Sequence, residues 1–374
     1  MRAGFWLQHG NRDAESLVAY ADDLALQPGG RPGVVLAPVN SSTKVNALFQ
    51  QARSKGDAFL DPVGHSLDRD PTKRSKDHFP WLVQSPRPDT KATWKAWMER
   101  GVAHQLSAEL RGTGQGPTAI VTPSPIVTAA AGQEELYTIL DAAAEIRSDH
   151  KPQQDLWLGL AVDRVHIREN PHLTRLGNAV VASGVPGLVL RAFHSELPPI
   201  QDRRYLEGLR EITYAAYAGD IDLMLPHSGW LGWLAMAWGA WGFSGGFAAG
   251  SWGDREPGPM NSPDEPANPY FEPQLLRTVR WRVHEELQDI QGYEPCTCPE
   301  CSARGNSYDA ALVKRHQMWW ANEEAARLVP LDRAGRAVAA AGRLDAAIAF
   351  RGSLDASLQD RVKAGFLDTW RNLI

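Results

Sequence analysis

Leu156-Trp157-Leu158-Gly159-Leu160-Ala161-Val162 is a short apolar run, and Gly187-Leu188-Val189-Leu190-Arg191-Ala192-Phe193 is another. Between them, Asn170–Ser183 carries apolar residues at helical spacing. Two such runs joined by a helix-length segment form the pattern of a βαβ unit, whose parallel strands are covered on both faces. Outward from this unit the alternation repeats. Strands are predicted near Gly4–His9, Gly33–Pro38, Asp57–Leu60, Thr118–Thr122, Leu156–Val162, Gly187–Phe193, Ile221–Leu225 and Gly242–Ala248. Helices are predicted over Arg12–Leu26, Ser42–Lys55, Thr93–Leu110, Gln133–Ser148, Asn170–Ser183, Asp202–Ala218 and Trp230–Gly239. Leu136, Ile139, Leu140 and Ala143 show the three-and-four spacing on which these helices rest.

Eight strands alternating with helices suit an α/β fold of the (β/α)8 TIM-barrel type, for which about 250 residues is usual. An open doubly wound sheet usually carries a glycine-rich first turn. Here the first strand runs into His9-Gly10-Asn11-Arg12, with neither a G-x-G-x-x-G nor a P-loop lysine. The barrel is therefore expected over residues 1–252. Residues 253–374 are expected to form a linker and a helical, zinc-binding subdomain packed on it, with helices at Trp281–Gln291, Tyr308–Val329 and Leu344–Ile374.

Composition narrows the function. Hydrophobic residues make up 43% and charged residues 22% of the 374 residues, which excludes a disordered or fibrous chain. A formal charge of −5 provides no overall electrostatic footprint for nucleic acid, so such contacts would need local patches. One such patch is the Pro62–Lys91 stretch, with Arg69, Lys73, Arg74 and Lys76; a second long stretch, Gly253–Gln274, holds six prolines. Each reads as a lid, a partner-binding loop or a solvated insertion. No apolar run reaches the length of a membrane span, and Met1-Arg-Ala-Gly-Phe-Trp-Leu-Gln-His9 turns polar too early for a secretory signal, so a cytoplasmic location is expected.

All three cysteines lie in Cys296-Thr-Cys298-Pro-Glu-Cys301. Three thiolates in one tight loop can hold a zinc ion, and a fourth ligand closes the tetrahedron. His316 is the first choice for it and His284 the second. A closed Cys3His shell leaves no position for substrate, so the zinc would be structural.

Asp61, Asp163, Arg191, His194 and His227 all fall at predicted C-terminal strand ends, the face that carries catalysis in this fold. The last four would line one pocket for a polar ligand; the bland alternative is an internal ion pair or a capped loop. With the barrel, the Cys-x-Cys-x-x-Cys string and a following helical histidine, the chain resembles the tRNA-guanine transglycosylase superfamily, which includes DNA-acting relatives that insert 7-deazaguanine bases. The resemblance implies a C-terminal Cys3His zinc and a pentosyl transfer in which one aspartate attacks the anomeric carbon while a second manages protons, the division of labour of two-carboxylate glycosidases. Asp61, in Phe59-Leu60-Asp61-Pro62-Val63-Gly64-His65, matches the place of the second aspartate, although the residues after it depart from the family motif. The eighth strand, Gly242–Gly250, holds no carboxylate where the family places its nucleophile; Asp254 is the nearest one downstream. The fifth and sixth strand ends, Asp163-Arg164 and Phe193-His194, also differ from the family's base-recognition pairs.

Trp230, Leu234, Trp238 and Trp241 are expected to form one apolar stripe against the sheet, with base stacking on an exposed tryptophan as the alternative. Trp319-Trp320 reads as core or as a dimer surface. The expected function is base exchange on guanine or a 7-deazaguanine in tRNA or DNA. The alternative is a degenerate scaffold of the same fold that binds nucleic acid or a partner protein, as a homodimer or a complex subunit. A barrel hydrolase unrelated to that family is the third and most remote reading.

Overall fold

The structure, a computed structural model, describes residues 3–9, 14–37, 42–62, 88–107, 114–128, 132–149, 155–194, 199–246, 269–305 and 307–374. Nine strands build the central sheet: β1 (Gly4–Gln8), β2 (Gly33–Leu36), β3 (Ala58–Leu60), β4 (Ile120–Val121), β5 (Ile126–Val127), β6 (Leu156–Val162), β7 (Gly187–Ala192), β8 (Asp222–Leu225) and β9 (Gly242–Gly245). All pair in parallel, in the order β3-β2-β1-β9-β8-β7-β6-β4, with β5 also on β6. The two ends meet where Thr118 N–H donates to Ala58 O at 2.8 Å and Ala58 N–H donates to Thr118 Oγ1 at 2.9 Å. The ring is the expected (β/α)8 barrel.

The fourth stave departs from the single strand expected at Thr118–Thr122. Pro123 and Pro125 cannot donate ladder hydrogen bonds, so the stave splits into β4 and β5. Side chains repair the gap. Thr122 Oγ1 and Ser124 Oγ accept the N–H groups of Gly159 (3.0 Å) and Ala161 (3.1 Å) on β6. On the other side, the buried Gln105 acts as a substitute strand, accepting Val121 N–H at 3.0 Å and donating to Val121 O at 2.7 Å.

Around the ring run α1 (Ala14–Leu24), α2 (Ser42–Lys55), α3 (Lys91–Gln105), α4 (Gly132–Asp149), α5 (Arg164–Arg168), α6 (His172–Ala182), α7 (Arg203–Ala218) and α8 (Gly229–Trp238). Helix α7 shows how sequence sets each one. Asp202 caps it by accepting the N–H groups of Arg204 and Tyr205, and Tyr205, Leu209, Ile212 and Ala216 form its buried stripe.

Inside the ring, Trp6, Val35, Phe59, Val121, Trp157, Val189 and Met224 form an apolar floor, with Trp241 packed against it. The rings of Trp6 and Trp157 lie 5.7 and 5.2 Å from that of Trp241. Gly33 and Gly187 make room, since a Cβ on either would come within 2.3 Å of Trp6 and 2.1 Å of Trp157. Trp241 thus leaves the helical stripe expected for it. Helix α8 ends at Trp238, Gly239 turns left-handed (φ 119°), and the chain delivers Trp241 to the lumen side. Trp230, Trp233 and Trp238 are core residues, and every residue of α8 is buried.

The C-terminal part, expected as a linker and helices, also contains strands. Pro269–Glu272 (β10) and Arg277–Arg280 (β11) form an antiparallel hairpin before α9 (Trp281–Gln288), α10 (Pro299–Arg304), α11 (Ala310–Leu328), α12 (Arg333–Ser353), α13 (Ala356–Val362) and α14 (Phe366–Arg371). The helix expected over Leu344–Ile374 is broken at Leu354, whose extended backbone ends α12, and by the left-handed Lys363. Helix α11 lies on β1 beside α8, with Ala325 and Val329 over Gly4. Asn322 donates to Gly30 O at 2.9 Å and Glu323 accepts Gly29 N–H at 2.6 Å. This helix fills the eighth outer position of the barrel. The tail returns to the ring, where Trp370 Nε1 donates to Ile200 O at 2.9 Å. Among the described residues no helix is long and apolar enough to cross a membrane.

Gln105→Leu would leave the N–H and C=O of Val121 buried without their side-chain partner, at about 1–3 kcal/mol for each group. A fall of that size in the unfolding free energy obtained from denaturant titration is expected, and an unchanged value would mean that Gln105 does not complete the stave.

Candidate metal centre and barrel-mouth site

Local sequence explains how the cysteine loop closes. Cys298 is the N-cap of α10, its sulfur accepting Cys301 N–H at 3.3 Å, and Pro299 at the first helical position presets the turn. That single turn brings Cys298 and Cys301 to one side, and Cys296 joins them from the extended chain before it. His316, buried on α11, points Nδ1 at all three sulfurs, 3.7 Å from Cys296, 3.2 Å from Cys298 and 3.3 Å from Cys301. The four ligand atoms lie within 4.8 Å of one another. A tetrahedral zinc with bonds of about 2.3 Å to sulfur and about 2.0 Å to nitrogen sets S···N separations near 3.5 Å, so the donor set fits.

The surroundings orient the donors. His316 Nε2 lies 2.8 Å from Phe271 O, which fixes the proton on Nε2 and turns the Nδ1 lone pair to the sulfurs. Trp320 Nε1–H donates to the Cys296 sulfur at 3.3 Å, and Tyr270 stacks on the His316 ring at 4.6 Å with its hydroxyl 3.3 Å from the Cys301 sulfur. Hydrogen bonds with Cys296 and Cys298 hold the Cys301 thiol well below the usual thiol range, while those with Cys296 and Cys301 push Cys298 up. Burial lowers the pKa of His316, but Cys296 and Cys301 outweigh it and push the imidazole up to about 10. Four donors competing for protons at one point are what a cation resolves by replacing those protons.

His284, the second choice for a ligand, stands outside this set. It stacks on the far face of Tyr270 at 3.7 Å and its Nδ1 is 3.0 Å from Glu272 Oε2, both side chains being fully buried. The cysteine loop is also tied to the barrel. Tyr20 on α1 donates to Glu300 Oε1 at 2.7 Å, and burial, reinforced by Glu300, raises its pKa and keeps the proton on the phenol. Trp319 and Trp320 are half-buried, packed on the core in an edge-to-face pair.

Separately from this cluster, the C-terminal strand ends carry a polar layer directly above the tryptophan floor. Asp61 ends β3, and its Oδ2 accepts from Arg191 of β7 in a buried ion pair and from Gln8 Nε2 of β1 at 2.9 Å. Gln8 Oε1 in turn accepts from Ser244 of β9, whose Oγ accepts His227 N–H at 2.9 Å. His194 and His227 come together elsewhere, lining a small cavity between β7, β8, α7 and α8 with Tyr205, Leu209, Ser228 and Leu231. It has room for about one water, which is too small for a base. Asp163 caps α5 by accepting Val165 N–H at 3.1 Å. Of the residues expected to line one pocket, Arg191 and His227 belong to the hydrogen-bonded layer across the mouth, His227 also meets His194 at the small cavity, and Asp163 caps α5. Asp254 and the Arg69–Lys76 patch lie outside the described residues.

Gln8 and Ser244 were not among the residues singled out from sequence, although strand alternation points to Gln8. It stands two residues after Trp6, just as Asp61 stands two after Phe59, and side chains two apart share a face. His166, beside Asp163, is a buried histidine whose pKa burial lowers, set edge-on to His172 at 5.4 Å. Neither a scan against protein-family models nor a search of curated proteins finds a match to this chain.

The purified protein is expected to carry about one zinc per chain. His284→Ala should keep it and His316→Ala should lose most of it, measured by elemental analysis after desalting; equal retention in both variants would remove His316 from the ligand set.

Proposed function

We propose that this chain is a base-exchange transglycosylase-like protein acting on guanine or a 7-deazaguanine in tRNA or DNA. The observation that supports the reading best is the Asp61 carboxylate at the end of the third stave, on the catalytic face, paired with Arg191. An oxopurine presents adjacent N–H donors and a carbonyl acceptor, and a carboxylate beside a guanidinium is complementary to both. In pentosyl transfer Asp61 would take or return the proton of the departing and arriving base. Asp254 is the candidate nucleophile, and a Cys3His zinc would be structural, tying α11 to the barrel.

One observation favours the second reading, a scaffold of the same fold that binds nucleic acid or a partner. Asp61 Oδ2 is already engaged by Arg191 and Gln8, and the eighth stave contributes Ser244 in place of a carboxylate. A buried ion pair of this kind can also be purely structural, since removing either partner would leave an uncompensated buried charge.

Incubation with radiolabelled guanine or a 7-deazaguanine and tRNA or duplex DNA separates the two. Label incorporation should fall by about 100-fold or more in Asp61→Ala, the scale of a lost general acid–base, and persist in the surface variant Lys55→Ala. No incorporation into any nucleic acid, with salt-sensitive binding, would favour the scaffold.

A further inference from the structure

The hydrogen bonds across the barrel mouth have a direction. Asp61 Oδ2 is a carboxylate oxygen paired with the Arg191 guanidinium and only accepts, so the Gln8 NH2 faces it. This settles the orientation of the Gln8 amide, whose two ends are otherwise nearly the same shape, and turns its Oε1 towards Ser244. The Ser244 hydroxyl donates to that Oε1 and accepts the N–H of His227. Both ends of the chain are held: Gln8 and Ser244 are fully buried, and His227 sits in the left-handed region (φ 50°), where a non-glycine residue stays only if its surroundings hold it. The chain crosses the lumen between staves that are not all neighbours, from β9 to β1 to β3 to β7.

We infer that Gln8 and Ser244 are positioning residues for the Asp61–Arg191 pair. Two donors, one neutral and one cationic, converge on a single carboxylate oxygen and fix the carboxyl plane and the guanidinium side by side. The pair is then a preset acceptor–donor edge, matched to a planar cyclic amide, and the ligand need not pay for ordering it. The ligand class rests on the base-exchange reading; the positioning does not.

Two measurements on the full-length protein test this separately. Gln8→Glu places a second carboxylate against Asp61, with Arg191 the one cation in contact with Asp61 Oδ2 among the described residues. The folded-state pKa of the new carboxyl should rise above its unfolded value of about 4.3, so its stability is present at low pH and lost as pH rises through the folded value. The melting-temperature gap to wild type should therefore widen from pH 4 to pH 8. A gap that stays flat means that the side chain at position 8 does not reach Asp61, which overturns the positioning role. For the ligand, guanine is the calorimetric probe. Ser244→Ala, which frees the Gln8 amide to turn, should weaken guanine binding about tenfold, the scale of one lost hydrogen bond. Equal affinity in wild type and Ser244→Ala overturns the positioning role. A wild type that does not bind guanine counts against the base-exchange reading, and the Gln8→Glu melting series then decides the positioning by itself.

Discussion

Closing eight parallel strands into a ring encloses a space that must be filled to the density of a protein interior. Trp6, Trp157 and Trp241 fill it from below, and Gly33 and Gly187 leave room for the first two. Their bulk has a consequence above. Two residues beyond Trp6, Phe59 and Val189 along their strands stand Gln8, Asp61 and Arg191, and Ser244 of β9 joins them at the mouth. Charged groups at that depth persist only when paired and hydrogen-bonded, and here each one is. The polar layer and the aromatic floor are thus one packing solution seen from two sides.

The outer ring raises a second requirement. Each stave needs a helix over its outward face, and β1 obtains its cover from α11, far along the chain. That helix carries His316, so the metal centre sits at one side of the element that completes the barrel. Tyr20 to Glu300 and Gly29 to Glu323 fasten the same region to α1 and the loop after it. Residues after 268 therefore act less as an appendage than as the last piece of the ring: Phe271, Met318, Ala321, Ala325 and Leu344 belong to the same core cluster as the strands, while Tyr270, Cys298, Cys301 and Val313 form a small cluster of their own.

Much of this was legible in the sequence, and the failures have physical reasons. The β6–α6–β7 unit could be read because both strands are buried on both faces and show as continuous apolar runs. The clustering of Cys296, Cys298, Cys301 and His316 could be read because three of the four lie in one loop and because Cys298 and Pro299 begin a helical turn. The split fourth stave was missed because prolines broke the run, and its repair by Gln105 is a long-range contact that no local pattern announces. Trp241 was misplaced because a helical count of residues continues smoothly through Gly239, where the backbone does not. The β10–β11 hairpin was hidden by a proline at each end of β10 and a Leu276 in the left-handed region. Asp61 and Arg191 were each placed at a strand end, but spacing along the chain does not say which ends meet across a lumen. That depends on the register of every intervening stave.

The central claim is that the Cys3His centre seats α11 against β1 and so completes the barrel. Hydrogen exchange on the full-length protein, with the metal bound and after its removal by a chelator, tests it most directly. Protection is expected to fall in α11 and, together with it, in β1 and α1, while α4 and α6 on the opposite side keep theirs. Loss confined to the cysteine loop, with β1 and α1 unchanged, would contradict it.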